Sequence, residues 1–393
     1  MPELAIGLTG LFGSGCGTAA NFLESLGFKK YSLSTRIREV LDERKSANPQ
    51  RHNFQDIGDE LREKNGPAHL ASIVWKKISS EPGPVVIKSI RNHNEADFLS
   101  QKIKSFYLIN INADSDARWI RAQKSHEYSN RSDFERDDFR DAGFSQPENG
   151  QHVNKCGELA DILLNNNGTK AQLSKKLKRY MDLIRMPGSK PPSDMEINMA
   201  QAYFWSLRSQ CLRRKVGAVI VKKGYTIASG FNDVPRKVME RDGMQFEVSP
   251  GSCIELYKTC YRRVISRCLK CKSAISTTSG ECTECRTPIP REQISVLQKH
   301  LDLCRAIHAE ERAILQVARL GGQSLEGSVL YTTTFPCQLC AKKIVEVGIS
   351  KVVYISAYPY PEAKMMLDKQ GVRLEGFEGA KSKAFDKLYK VSI

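Results

Sequence analysis

Apolar residues in the first half of the chain fall into short β-rich runs set between segments of helical spacing. Residues 4–9 (LAIGLT) read as a buried strand. A glycine-rich turn follows, then an apolar-periodic helix over about 18–26, with Gly27 suited to its end. Helical spacing returns over 35–44 and roughly 54–80. Residues 84–90 (PVVIKSI) and 105–112 (SFYLININ) read as strands. Asp114 is placed to cap the next helix, and Ser132 with Glu135 matches a capping box for another. Residues 160–168 (ADILLNNNG) give a last strand and turn. Strands alternating with helices predict an α/β fold with a parallel sheet.

The pattern then changes. Residues 171–184 form a basic helical segment, and 186–193 (MPGSKPPS) read as a linker. Beyond it the sequence predicts a helix over about 194–209, strands at 216–222 and 225–231, and a helix from near 308. A strand at 328–333, a helix from 337 and a strand at 351–356 complete the series. The expected organisation is a domain over 1–170, a basic helix and linker over 171–193, and a second domain over 194–393. An insert over 233–304 interrupts that second domain.

Charge sharpens the division. Residues 1–170 are balanced, so the net +16 of the 393-residue chain lies wholly in 171–393. A basic half favours an anionic partner: nucleic acid, nucleotide phosphate or acidic protein. No run approaches the ~18 apolar residues of a membrane helix, and MPELAIGLTGLFGSG lacks the basic start of a secretory signal. A cytoplasmic location is expected.

Three of the chemistry-bearing motifs are cysteine pairs. His308-Ala309-Glu310 precedes Pro336-Cys337-Gln338-Leu339-Cys340, which is the H-x-E…P-C-x-x-C signature of zinc nucleobase deaminases. His308, Cys337 and Cys340 supply three ligands and leave the fourth tetrahedral position of a Zn2+ ion for water. Glu310 is free to carry protons between water, ring nitrogen and departing ammonia. Cys268, Cys271, Cys282 and Cys285 form a second, closed set at zinc-knuckle spacing, with Ser279-Gly280 as the expected turn. A redox role for these four is the alternative. Lys258, Arg262, Arg263, Arg267, Lys270 and Lys272 crowd this set and read either as an anion-binding run or as a solvated basic face.

The flanking sequence, RSQCLRRKVGAVIVKKGYTIASGFNDVP (208–235) and CRAIHAEERAIL (304–315), resembles deoxycytidylate deaminases. The resemblance implies that Asn232 contacts the sugar or the region of the activated water. It also implies that Arg208, Ser209 and Arg213 lie near the substrate phosphate. Tyr354, Tyr358 and Tyr360 would then bound the base and phosphate pocket. Read from the residues alone, the arginines fit a solvated helix end, Asn232 a turn, and the tyrosines core or strand-edge packing.

Gly10, Gly13, Ser14, Gly15, Cys16, Gly17 and Thr18 follow the first strand and open a helix, the context of a P-loop. Cys16 stands where that motif has lysine, so phosphate could be cradled but its transfer is impaired. Residues 28–41, 54–69 and 85–92 are similar to nucleoside-monophosphate and dephospho-coenzyme A kinases, with Lys88 in place of an acid. Arg91, Arg118 and Arg121 are candidates to hold nucleotide phosphates in a regulatory domain. The fusion as a whole resembles the deoxycytidine-nucleotide deaminases of bacterial anti-phage defence. It implies a homo-oligomeric enzyme acting on dCTP or dCMP. A polynucleotide cytosine or adenine deaminase, and a module that only binds nucleotide or nucleic acid, are the alternatives.

Overall fold

The structure is a computed structural model. It describes the chain except residues 46–48, 145, 236, 242–243, 249–250, 259, 262–266, 269, 274–280, 283, 290–303, 357–360 and 391–393. Two compact units emerge: Met1–Glu196 with Glu378–Ile393, and Ile197–Phe377. This differs from the expected division at two places. The helix Asp194–Ser206 runs through the boundary, and the last stretch of chain returns to the first unit. The return has a physical reason: Ala380, Ala384 and Leu388 are fully buried in the first unit's core, which a contiguous 1–170 domain would leave incomplete.

In the first unit, β1 (Ala5–Thr9), β2 (Lys29–Ser32), β3 (Val85–Ile90), β4 (Phe106–Asn112) and β5 (Ile162–Asn165) pair in parallel. β13 (Gly379–Ala380) adds an antiparallel edge, giving the order β13-β5-β4-β1-β3-β2. The α/β parallel architecture predicted from the alternating pattern is therefore present. β1 lies fully buried between β3 and β4. That is where strand order reverses and a crevice opens at the carboxyl ends of the strands. The helical stretch 54–80 divides into Arg51–Asn65 and His69–Ile78 at Gly66-Pro67. The expected Ser132 cap is displaced: Asn130 caps Arg131–Ala142 by accepting from the Asp133 N–H at 2.9 Å.

In the second unit, β6 (Gly217–Lys222), β7 (Tyr225–Phe231), β10 (Val329–Thr334), β11 (Lys351–Ser356) and β12 (Arg373–Gly376) form a mixed sheet. Its order is β12-β11-β10-β6-β7. The hairpin β8 (Lys237–Arg241) and β9 (Met244–Val248) lies in the insert. The helices Ala309–Leu320 and Gln338–Glu346 bury Ala309, Ala313, Ala341 and Ile344 in this unit's core. Gly230 permits close packing here. A Cβ on it would sit 2.1 Å from the Ala309 carbonyl oxygen and 2.6 Å from the Ala313 nitrogen. Only glycine lets β7 approach the start of the helix that carries the His-Ala-Glu motif.

Candidate metal centre and two further sites

His308 and Cys337 each occupy the extended N-cap position of a helix, and Cys340 lies in the first turn of the second. The Nδ1 atom of His308 is 3.2 Å from Cys337 Sγ and 3.4 Å from Cys340 Sγ. All three ligand atoms fall within 4.8 Å of one another. Both cysteines are buried. The Cys337 thiol is lowered to about 4, first by the hydrogen bond with Cys340 and then by His308. Cys340 is raised, first by its hydrogen bond with Cys337 and then by burial. One nitrogen and two sulfurs at helix starts, with no fourth protein ligand in the described cluster, fit zinc with an open position.

Glu310 is 4% exposed, and burial raises its carboxyl above the usual range. Its Oε2 lies 3.6 Å from Cys340 Sγ, and its Oε1 is 3.3 Å from the Thr332 hydroxyl. That hydroxyl also reaches the Thr334 carbonyl at 2.9 Å; with its hydrogen there, its oxygen accepts from Glu310 when the carboxyl is protonated, which orients the acid from β10. Arg312, one turn along the helix, donates to the carbonyls of Phe231, Asp233 and Val234, each at 2.9 Å. It ties the end of β7 to the metal-bearing helix. Sequence reasoning missed both residues, although Arg312 sits at i+4 from His308, on the same helix face.

The cytidine and deoxycytidylate deaminase zinc-binding region model matches residues 193–356, and an AAA-domain model matches 6–141. The deoxycytidylate deaminase of Enterobacteria phage T2 is 32% identical over 163 residues, 40% of this chain and 77% of that protein. The chain belongs to the deoxycytidylate deaminase family. The deoxycytidylate deaminase of Schizosaccharomyces pombe is 28% identical over 274 residues, 69% of this chain and 70% of that one. That match is longer than Ile197–Phe377, so it extends into the first unit. The dCMP deaminase of cyanophage S-TIM5, solved with dCMP and dUMP, covers 48% of this chain and 98% of its own, at 26% identity and TM-score 0.30.

Within this deaminase, the residues expected near substrate divide into two groups. Asn232 and Ser209 are buried and joined: Ser209 Oγ donates to the Asn232 carbonyl at 2.6 Å. The Asn232 amide accepts from the Val216 N–H at 2.6 Å and donates to the Arg214 carbonyl at 2.8 Å. Its side chain therefore shapes the 214–216 turn. Arg208 and Arg213 are exposed, and the Arg208 guanidinium lies over the rings of Phe231 and Trp205 at 5.0 and 5.5 Å. Tyr354 packs edge-on against Phe335 at 4.8 Å, while Tyr358 and Tyr360 lie outside the described residues.

The four remaining paired cysteines converge as one group. Cys268 Sγ is 3.6 Å from Cys285 Sγ, and Cys271 Sγ is 3.5 Å from Cys282 Sγ. The two CxxC halves repeat one turn. Cys268 N–H donates to the Ser273 carbonyl and Lys272 N–H back to the Cys268 carbonyl; Cys282, Thr287 and Arg286 do the same. Lys272 and Arg286 both take positive φ, 63° and 51°. The Cys282 thiol is lowered to about 6, first by the Cys285 backbone N–H. Ser279-Gly280, Arg262 and Arg263 fall outside the described residues.

In the first unit, the loop from Gly10 to Gly15 closes at the end of β1, with Gly10, Gly13 and Gly15 at φ 152°, 73° and 109°. A helix opens at Cys16 and carries Gly17 and Thr18 in its first turn. Ser14 is buried, and its carbonyl accepts from Asn166 Nδ2 at 2.7 Å. Cys16 Sγ turns back onto the Thr9 carbonyl at 3.3 Å. Two of the arginines expected at phosphates also brace this loop. Arg118 pairs with Asp138 and reaches the Phe12 carbonyl, and Arg121 donates to the carbonyls of Gly13 and Asn166. Arg91 pairs with Asp141 and lines the crevice.

Proposed function

We propose that the chain hydrolytically deaminates deoxycytidine nucleotides, dCMP or dCTP, to the deoxyuridine nucleotides. The observation that carries this reading is the buried Glu310 carboxylate beside three metal ligands. His308, Cys337 and Cys340 would hold the zinc. When bound there, it supplies an acidified water through the position these ligands leave open.

The protein's own groups handle the protons. Glu310 takes one from water and delivers it to the ring nitrogen. The water oxygen bonds to the carbon that carries the amino group; Glu310 then takes the second proton from that oxygen and hands it to the amino group, which leaves as ammonia while the oxygen becomes the carbonyl. Thr332 orients the protonated carboxyl, and burial favours this form, which acts as the acid. Asn232 and Ser209 set the turn beside this centre, and Arg208 and Arg213 are the exposed cations offered to the phosphates. Cys268, Cys271, Cys282 and Cys285 hold a second, structural zinc in this reading; four thiols leave no position for water.

The first unit serves as a nucleotide-binding regulator, the enzyme works as a homo-oligomer, and depletion of deoxycytidine nucleotides restrains phage. The test is a panel of dCMP, dCTP, CMP, cytidine and a cytosine-containing oligonucleotide, followed by ammonia release with zinc present. Failure on every deoxycytidine nucleotide refutes the reading. The net +16 of 171–393 favours a polynucleotide substrate as the second reading; turnover of the oligonucleotide, falling steeply with salt, would establish it. Phage plating equally well on cells carrying Glu310→Ala and on cells carrying no enzyme is the expected result of the defence role. Plating that Glu310→Ala still suppresses refutes it.

A further inference from the structure

The second unit carries an aromatic stack that the chemistry above does not use. The helix Asp194–Ser206 ends against the start of β6. A Cβ on Gly217 would lie 1.9 Å from the Ala202 carbonyl oxygen and 2.6 Å from the Ser206 nitrogen, so strand and helix meet backbone to backbone there. Gly217 is paired with Phe231 across the β6–β7 ladder. The close approach brings Trp205, in the last turn of the helix, onto Phe231. The two rings are parallel to within 9°, with centroids 6.2 Å apart.

Phe231 is buried and fixed with respect to the metal ligands. Its carbonyl accepts from Arg312 Nε at 2.9 Å, and the Arg312 guanidinium lies 4.7 Å from its ring centroid. Two residues on, Asp233 pairs with Ile307, the residue before His308, through N–H···O bonds of 3.2 and 2.9 Å. The ring, His308 and Glu310 are thus tied together through the end of β7 and the helix Ala309–Leu320. The exposed Arg208 rests on this platform, its guanidinium 5.0 Å from the Phe231 centroid and 5.5 Å from that of Trp205. A solvent-exposed arginine ordinarily samples many rotamers and loses them when it binds an anion. Stacked on two rings, its guanidinium is restricted before the anion arrives, which lowers that cost.

We propose that Trp205 and Phe231 are positioning residues: they hold Arg208 at a set distance from the metal centre, where it receives the 5′-phosphate of the substrate. In a deoxycytidine nucleotide the sugar limits the span between the reacting carbon and that phosphate. A cation held in place relative to the metal ligands therefore selects nucleotide over nucleoside. Arg208 makes the same contact in the ground state and the transition state, so its effect falls on KM rather than on kcat. Neither aromatic ring touches the substrate in this arrangement. The inference rests on the deaminase reading above, in which Arg208 serves the phosphate, and adds the residues through which it does so.

The experiment measures kcat and KM of the full chain on whichever of dCMP and dCTP it turns over, for Arg208→Ala, Trp205→Leu, Trp205→Phe and the double variant Arg208→Ala with Trp205→Leu. Arg208→Ala should raise KM about 10-fold and Trp205→Leu about 5-fold, each with kcat within about 2-fold of the parent. Trp205→Phe keeps an aromatic face and should hold KM within about 2-fold of the parent. In the double variant KM should match that of Arg208→Ala alone, because Trp205 acts only through the guanidinium. An unchanged melting temperature confirms the fold of Trp205→Leu; if it falls, Trp205→Met takes its place. The inference is overturned by KM effects that multiply in the double variant, or by a fall in kcat as large as the rise in KM. It is equally overturned if Trp205→Leu leaves KM alone while Arg208→Ala raises it. The reading beneath it fails separately: a parent chain inert on both nucleotides refutes the deaminase, and an unchanged KM in Arg208→Ala refutes the phosphate role of Arg208, and either result removes the inference as well.

Discussion

At His308, Cys337 and Cys340, three buried or half-buried side chains meet beside a buried carboxylate. At Cys268, Cys271, Cys282 and Cys285, four thiols from two copies of one turn meet beside the hydroxyls of Ser273 and Thr287. Both clusters are sulfur-rich and both suit zinc. What separates them is ligand count and neighbour. Three ligands with an acid at hand leave room for a reacting water; four, in the reading proposed above, close the shell and hold the chain together. The catalytic ligands also sit at the starts of two core helices, so the sheet positions them. The four thiols are positioned by their own local turns.

The sharpest way to break this contrast is Cys337→Ser. Metal analysis by plasma emission should show one zinc lost per chain, and deamination should disappear. Glu310→Ala should cost at least about 10^2–10^4 in kcat with the zinc content unchanged; zinc lost together with activity would make Glu310 a ligand. Cys282→Ser should also remove one zinc, but its main consequence should be a lower melting temperature, with residual kcat per folded molecule. If it abolished turnover as fully as Cys337→Ser while the fold survived, the division into catalytic and structural centres would fall. Thr332→Val tests the finest point. Losing one hydrogen bond worth about 1 kcal/mol should lower kcat about 5-fold with KM little changed, and an unchanged kcat would remove Thr332 from the proton path.

The metal ligands and Glu310 were legible because zinc chemistry demands fixed residue types at fixed spacing, and both are visible along a linear chain. The strands of the first unit were legible for a related reason: buried parallel strands are continuous apolar runs, as LAIGLT and SFYLININ are. What escaped depends on distant partners. β13 is two residues long and exists only because Gly379 and Ala380 pair with Leu163 and Ile162. That Arg118 pairs with Asp138, and that Arg121 braces the loop carbonyls while lining the crevice, depends on partners far along the chain. Thr332 stands in the strand VLYTTT, where nothing local distinguishes the hydroxyl that faces Glu310. Lys88 could be read as the loss of an acid, but its place on a wall shared by two cavities could not.

The return of Glu378–Ile393 to the first unit bears on how the molecule is made. The chain leaves the ribosome in order, and Ala380, Ala384 and Leu388 emerge only after the whole of Ile197–Phe377. The first unit therefore begins synthesis earliest and completes its core last. The segment carrying the metal centre is the first that can finish folding. Until the final helix Phe385–Tyr389 arrives, the apolar face of Lys170–Arg185 that receives it is uncovered. A chain ended after Phe377 and released should accordingly protect the deaminase segment from protease while the amino-terminal segment is still cut.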